Sequence, residues 1–454
     1  MASTSISRTP SSTGNRQTWT FSAWVKRSQL STDQKIFEAS PDGSNTTDIR
    51  LKTDDTLQVY SEVGGVTKYN LKTNRKLRDT SAWYHVVIAV DTTQGTSSNR
   101  VKLYINGVQE TSFSTATYPD QNFDTLVNFA NQINVIGRRN PYSDFYFNGL
   151  ISYAALVDGT QELPTIFGET DSVTGQWKIK TDITPSVAWG TNGFLILKNG
   201  NSLTDESTNS NNFTLGSGTL TNSLDCPSNV FATWNSLDQW FFWGAAESSN
   251  ITNGNTTVQS GNSQYAYIPT TLGANSKKYY WEIKPSARNG GTGDLLVGVT
   301  STQSVSTVQT LGWHPNDVAY RENGNKKINN SDTSYGNSYT LNDIIGVAMD
   351  LDNNKLYFSK NGVWQNSGDP TSGSTGTGAI PLTASASTGL GNYFASVAYV
   401  NGSYNATFQA NFGNGFFGTS AVADNSTATA STPGTFNYDV PAGYQPLTTK
   451  GLNA

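Results

Sequence analysis

Cysteine, histidine and charge are all scarce in this chain. Cys226 is the single cysteine in 454 residues, which excludes an internal disulfide. Histidine occurs twice, at His85 and His314. With Cys226 these fall short of the four or so ligands that a structural zinc takes, so no metal is expected. Charged residues make up 14% of the chain and the net charge is −5. The densest basic cluster is Lys72, Arg75, Lys76 and Arg78. Duplex binding draws on several phosphate contacts, so the cluster reads as a solvated loop and nucleic acid is not an expected partner. No apolar run approaches the ~18 residues of a membrane span, and membrane insertion is not expected. The first residues, Met1 to Arg8, offer neither a basic segment nor an apolar one, so no signal peptide is read there.

What is abundant is Asn, Thr, Ser and Gly, with 11 Trp, 21 Tyr and 20 Phe. Asn, Thr and Ser are poor helix formers, while Thr and the aromatics suit a pleated surface. Period-2 alternation runs throughout. In residues 19–26, Trp19, Phe21, Ala23 and Val25 share one face, and Trp24 breaks the polar pattern of the other. Residues 83–91 are apolar at nearly every position after His85, which predicts a central strand covered on both faces. Val101, Leu103 and Ile105 alternate up to Asn106-Gly107, a pair suited to the positive φ angles of a tight hairpin. Tyr279, Trp281 and Ile283 repeat the pattern, followed by residues 295–300, 344–350, 356–359, 393–399 and 407–412. Asn353-Asn354 and Asn361-Gly362 read as further turns, and residues 163–167 as one short helical turn. The expected fold is all-β: two tandem antiparallel β-sandwiches. Residues 199–221 form a polar stretch, and the boundary is placed near Asn235, giving domains 1–235 and 236–454. Residues 369–378 and 421–434 read as long surface loops.

Several segments of the first half, taken as a set, resemble LamG-like members of the concanavalin A-like lectin superfamily. They are Trp19-Thr20-Phe21-Ser22-Ala23-Trp24-Val25-Lys26-Arg27, Ala82-Trp83-Tyr84-His85-Val86-Val87, Val101-Lys102-Leu103-Tyr104-Ile105-Asn106-Gly107, Phe147-Asn148-Gly149-Leu150-Ile151 and Gly190-Thr191-Asn192-Gly193-Phe194. Together with Ser7-Arg8-Thr9-Pro10-Ser11-Ser12, they look like a version common in marine bacteriophage structural proteins. The second half resembles a SPRY domain through Tyr279-Tyr280-Trp281-Glu282-Ile283, Leu311-Gly312-Trp313, Asp343-Ile344-Ile345-Gly346-Val347-Ala348-Met349-Asp350-Leu351-Asp352 and Phe408-Gln409-Ala410-Asn411-Phe412-Gly413. The expected architecture is a LamG-type jelly roll followed by a SPRY-like sandwich. Both resemblances imply scaffolds whose loops meet ligands.

Signs of catalysis are weak. A retaining or inverting glycosidase needs two acidic side chains flanking the bond, and such a pair shares a strand face at i, i+2 or i, i+4. Asp350-Leu351-Asp352 comes nearest, but Asn354 stands where a further acid would be, and the segment reads as entry to a turn. His85 reads as a packed core histidine, His314 lacks an identifiable partner, and nothing marks Cys226, which precedes Pro227 in a connection, as reactive. Residues 413–418 fit GxGxxG literally, but no helix is expected after them. Asp350 to Lys355 imitates an EF-hand start without its Gly and closing Glu. No cofactor is expected; calcium through Asp91 or Asp158 stays open.

The remaining functional material is aromatic. Trp313, Tyr320, Tyr335 and Trp364 fall in or beside the loops that form the recognition surface in SPRY relatives, and are the candidate ligand contacts. The alternative for Trp313 and Trp364 is a packing role in the sandwich. The resemblances imply a non-enzymatic bacteriophage virion protein, a tail fibre or tail-associated module binding host surface glycan. Two other readings stay open: a capsid fibre, decoration or tail-assembly protein with a structural role, and a polysaccharide depolymerase. The expected partners are other phage virion proteins and copies of the chain itself. The expected location is the virion, after synthesis in the host cytoplasm.

Overall fold

Strand Thr18–Arg27 shows why this chain builds sheets in layers. Trp19, Phe21, Ala23 and Val25 enter one core, while the opposite face carries Ser22 and Trp24. Trp24 is no exception to burial, because it stacks on His85 with ring centroids 4.7 Å apart. The next strand, Tyr84–Asp91, divides in the same way. Val86, Ile88 and Val90 join the central core, and Val87 and Ala89 join a second cluster on the other face. That second cluster is supplied by Phe167, Ile183, Val187 and Trp189. The unbroken apolar run in the sequence is thus a strand covered on both sides.

The computed structural model describes residues 3–235, 251–260, 266–290, 294–302, 309–400, 405–423 and 433–453. Among these, the first half forms two large antiparallel sheets and a small two-stranded one, Gly168–Thr170 with Trp177–Ile179. An eight-stranded sheet runs in the order Phe113–Thr117, Val66–Lys76, Thr56–Val63, Asn45–Leu51, Gln34–Asp42, Asn134–Ile136, Ser5–Arg8, Thr214–Ser217. A six-stranded sheet runs Phe194–Ile196, Gly149–Asp158, Thr18–Arg27, Tyr84–Asp91, Val101–Ile105, Val108–Gln109. The core between them is filled by Phe21, Phe37, Leu57, Tyr69, Leu71 and their neighbours. The hairpin at Asn106-Gly107 has φ angles of 50° and 78°, and the Trp177 ring packs where a Cβ on Gly107 would sit. An alanine there would meet both obstacles.

The second half repeats the design. Its larger sheet is centred on Ala406–Asn411, Lys278–Arg288, Ile345–Asp350 and Lys355–Lys360. Its six-stranded partner is centred on Tyr393–Val400, Asp294–Thr300 and Val318–Arg321. Trp281, Ile283, Val347, Phe358, Val297 and Tyr399 fill the core between the two. Residues 433–448 pass over the outer face of the larger sheet, where Phe436, Val440 and Tyr444 pack on Tyr280, Ala348 and Tyr357. Among the described residues, helix is confined to short turns, such as Pro164–Ile166, and to Thr449–Asn453. No helix among the described residues is long and apolar enough to cross a membrane.

The chain divides into two compact units, residues 1–222 and 223–454. This moves the boundary expected near Asn235. Phe231, Ala232 and Trp234 are core residues of the second unit. Ala232 N–H donates to Leu447 O at 2.9 Å, and Trp234 Nε1 donates to Thr256 O at 3.1 Å. The polar character of residues 199–221 masks this short apolar segment, which pairs with distant strands. A fragment starting at residue 236 loses three core side chains, each worth about 2–5 kcal/mol for the larger ones. It is expected to unfold well below a fragment starting at residue 223. Equal thermal midpoints for the two fragments would refute the reassignment. Of the two tracts expected as long loops, residues 424–432 of the second lie outside the described residues.

Candidate functional site

Two of the four expected ligand contacts are core residues instead. Tyr320 and Tyr335 are 0% and 5% exposed. The Tyr320 hydroxyl donates to Asn337 O, and its ring meets Tyr335, Tyr339 and Phe358. The Tyr335 hydroxyl accepts Phe358 N–H at 3.2 Å. Burial pushes both phenols well above their ordinary range. The alternation of Val318–Arg321 turns Tyr320 inward, so neither ring can meet a ligand.

Trp313 and Trp364 are half-buried. Trp313 closes a turn to Thr310 O, and Lys327 Nζ lies 5.8 Å from its ring centre. Trp364 meets the Tyr280 ring edge-on at 6.4 Å and packs against the outer cluster of the larger sheet. Trp313 lies in a turn ahead of strand Val318–Arg321 and Trp364 on the short strand Val363–Trp364 of the larger sheet, and the two share no ring contact among the described residues.

The remaining expectations resolve individually. His85 is fully enclosed. Trp177 Nε1 donates to its Nδ1 at 3.0 Å, so Nε2 carries the proton toward Ser22 Oγ at 2.9 Å. Burial pushes the imidazole down to about 3, so it stays neutral at any ordinary pH. Asp350 accepts N–H groups from Asn353 and pairs with Lys278, as a turn entry does. Residues 413–418 wrap Asn411 Oδ1 and lead into the hairpin Phe416–Phe417/Ser420–Ala421 rather than a helix. The Asp158 carboxylate accepts Asn15 N, Asn128 Nδ2 and Asn192 N, while Asp91 accepts from Thr93 and Gln94. Both carboxylates are engaged by donors within the fold. No cluster of three or more metal-type ligands occurs among the described residues. The basic cluster expected on a loop lies largely on strand Val66–Lys76, where Lys72 pairs with Asp54 and Arg75 with Glu110.

The surface with the most organised chemistry is one the sequence reading passed over. On the eight-stranded sheet, Ile49, Val59 and Leu71 point into the core, so the alternate residues line the outer face. Two cross-strand rows result. In one, Glu38 faces Asp48, Asp48 faces Tyr60, and Tyr60 faces Asn70. In the other, Lys35 faces Arg50, Arg50 faces Gln58, and Gln58 faces Lys72. Arg50 Nε donates to Gln58 Oε1 at 2.9 Å, and Gln58 Nε2 donates to Asn70 Oδ1 at 2.7 Å. The Arg50 guanidinium lies 4.4 Å from the centre of the Tyr60 ring, whose hydroxyl donates to Glu62 at 2.5 Å. Nearby, Tyr142 is 51% exposed beside Gly43, with Arg139 over its ring at 4.5 Å. The legible signal was the alternation Gln58, Tyr60, Glu62 against Leu57, Val59, Ser61.

Comparison with known proteins agrees with this architecture. Residues 2–163 match the family described as the concanavalin A-like lectin/glucanases superfamily, and residues 278–414 match the SPRY domain. Over 97 residues the chain is 31% identical to Ran-binding protein 9 of Danio rerio, a stretch covering 21% of this chain and 15% of that one. Over 93 residues it is 37% identical to the ATP-dependent RNA helicase DDX1 of Xenopus laevis, covering 20% and 12%. The chain thus spans a small part of the length of these curated relatives. Among solved structures, the SPRY domain of human HERC1 is 18% identical with a TM-score of 0.27, covering 35% of this chain and 89% of that one. The heptameric SAP-like pentraxin of Limulus polyphemus is 14% identical with a TM-score of 0.30, covering 48% and 90%. The chain is all-β and carries a LamG-like concanavalin A-like domain followed by a SPRY domain.

Proposed function

We propose that this chain is a non-enzymatic binding protein on the surface of a bacteriophage particle, in a tail fibre or a tail-associated position. There it assembles with copies of itself and other virion proteins and holds host surface glycan. The carrying observation is the outer face of the eight-stranded sheet. Its amide, guanidinium and hydroxyl groups are held in place by mutual hydrogen bonds around the half-buried Tyr60 ring. A sugar offers hydroxyls that both donate and accept, and an apolar C–H face that stacks on such a ring. Side chains already fixed by neighbours lose little freedom on binding. The resemblance of the first-half segments to phage structural proteins supports the virion setting.

The non-enzymatic reading has geometric support. The acids that stand side by side on this face, Glu38 and Asp48, are 1% and 0% exposed. A polysaccharide cannot approach either oxygen. Glu282 of the second unit is equally enclosed.

A glycan array of host surface sugars, with virion labelling, tests the proposal. Tyr60→Ala is expected to weaken glycan binding about tenfold, with Trp313→Ala and Trp364→Ala reporting any share taken by the second unit. A wild-type chain that binds no host glycan or host cell sinks the adhesin reading. Labelling confined to the head points to a capsid fibre or decoration role. Release of reducing sugar from host polysaccharide would restore the depolymerase.

A further inference from the structure

The outer face of the eight-stranded sheet hides a reactive arrangement at one point. Lys35 and Glu38 lie on strand Gln34–Asp42, and Asp48 lies on the adjacent strand Asn45–Leu51. Lys35 Nζ is 2.5 Å from Asp48 Oδ2 and 3.1 Å from Glu38 Oε1. Thr46 Oγ1 donates to Glu38 Oε1 at 2.7 Å and reaches Asp48 Oδ2 at 3.3 Å. The site is roofed by the segment that follows Arg139. Asn140 N–H donates to Glu38 Oε2 at 2.6 Å, and Lys35 N–H donates to Phe145 O at 2.9 Å. Lys35, Glu38 and Asp48 are all 2% exposed or less.

We propose that Lys35 and Asp48 join in an intramolecular isopeptide bond, with Glu38 carrying the protons. The pair begins as ammonium and carboxylate. Transfer of one proton from Nζ to the Asp48 carboxyl gives a neutral amine beside a neutral acid. The amine attacks Asp48 Cγ. Glu38 takes a proton from Nζ and delivers one to the departing oxygen. The Nζ–Cγ bond forms, the Cγ–Oδ2 bond breaks, and one water leaves. No oxidant or other reactant enters. Burial, reinforced by the charge of Asp48, pushes the Glu38 carboxyl up and so keeps a proton available to it.

Two further effects favour the amide. Holding amine and carboxyl in contact supplies an effective concentration of about 10⁵ M or more. Amide formation also removes two buried charges whose desolvation is costly, replacing them with a neutral group.

Intact mass of the denatured full-length chain decides the matter. The wild type, after prolonged incubation folded, is expected to be lighter than its sequence by one water. A protease digest should contain a branched peptide joining the Lys35 and Asp48 segments. Lys35→Arg and Glu38→Gln should both show full mass. Asp48→Asn should lose one ammonia instead of one water, because the amide nitrogen then departs. A wild type at full mass overturns the proposal and leaves an ordinary buried ion pair. Water loss that persists in Lys35→Arg also overturns it, by placing the dehydration elsewhere. Since the wild-type mass is decisive alone, a variant that fails to fold does not blunt the test.

Discussion

Replacing Glu282 with alanine is expected to cost the second unit about 2–6 kcal/mol, from two orphaned buried N–H groups, and to free the segment that crosses its larger sheet. Glu282 lies on strand Lys278–Arg288 on the face opposite Trp281 and Ile283. Its two carboxyl oxygens receive four donors. Tyr438 N–H and the Tyr280 hydroxyl reach Oε1 at 2.8 and 3.2 Å. Asn437 N–H and Asn411 Nδ2 reach Oε2 at 2.9 and 3.1 Å. The carboxyl group is therefore the anchor that holds residues 437–438 to the sheet, and Phe436 follows it onto Tyr280 at 5.0 Å between ring centres. Without it, two backbone N–H groups must either stay unpaired while buried or leave the sheet. Leaving uncovers Tyr280 and Tyr357. Urea unfolding and amide exchange at Asn437 and Tyr438 measure both effects. A midpoint and protection unchanged in Glu282→Ala would show that the crossing segment is held by its aromatic contacts alone.

The same carboxyl gives a pH dependence with a defined sign. Desolvation by burial is the largest influence on Glu282 and pushes it from 4.5 up to about 7, against the pull of its four donors. The folded chain thus keeps this proton to higher pH than the unfolded chain does. Where the folded state binds more protons, stability falls as pH rises. This contribution is fully present below pH 4.5 and is lost as the pH climbs to about 7. Its size is about 3 kcal/mol at most. The neutral acid has a place for its proton, because the Tyr280 hydroxyl can accept as well as donate. Glu282→Gln removes the titration. The difference in stability between wild type and this variant should therefore shift across that pH range, and a difference constant with pH would contradict the shifted carboxyl.

The sequence made the sandwiches legible because their strands alternate over long stretches. Trp19, Phe21, Ala23 and Val25 needed only period 2 to be placed, and residues 83–91 announced a doubly covered strand by having no polar face. The site was less legible for the same reason. Alternation says which residues share a face, not which face is in. The SPRY resemblance puts Tyr320 in or beside the recognition loops, yet its strand pairs with Asp294–Thr300 and Asn325–Ile328 and buries the ring. Tyr60 escaped attention because one ring among Gln58, Glu62 and Asn70 looks like ordinary surface. Its setting exists only once Asn45–Leu51 and Val66–Lys76 lie on either side. Glu282 stands in the sequence only as one polar position of the alternating stretch Tyr279-Tyr280-Trp281-Glu282-Ile283. Its four donors come from residues far along the chain, and no local feature foretells them.

A second large effect is expected in the first unit from Asp55→Ala, because Asp55 is the counter-charge of a fully buried arginine. Arg27 and Asp55 are 0% and 1% exposed. Arg27 Nη2 lies 3.1 Å from Asp55 Oδ1, Arg78 Nε lies 3.1 Å from Oδ2, and Ser31 N–H donates to Oδ1 at 2.8 Å. Arg27 Nη1 also donates to Leu77 O at 2.6 Å, while Leu77 N–H donates back to Asp55 O at 2.8 Å. Burial lowers the Arg27 affinity for its proton, and the Asp55 charge is the main influence opposing that. Removing the carboxylate leaves a guanidinium enclosed without compensation, at a cost of about 3–5 kcal/mol. Asp55 also has φ of 65°, which alanine tolerates poorly. Asp55→Asn separates the two causes, since it keeps a residue suited to that backbone and deletes only the charge. The expected order of stability is wild type, then Asn, then Ala, with the alanine variant melting roughly 10 °C or more lower. An alanine variant within about 1 kcal/mol of wild type would mean that Arg27 finds water or another partner when Asp55 is gone, and that the pair positions the strand Thr18–Arg27 without stabilising it.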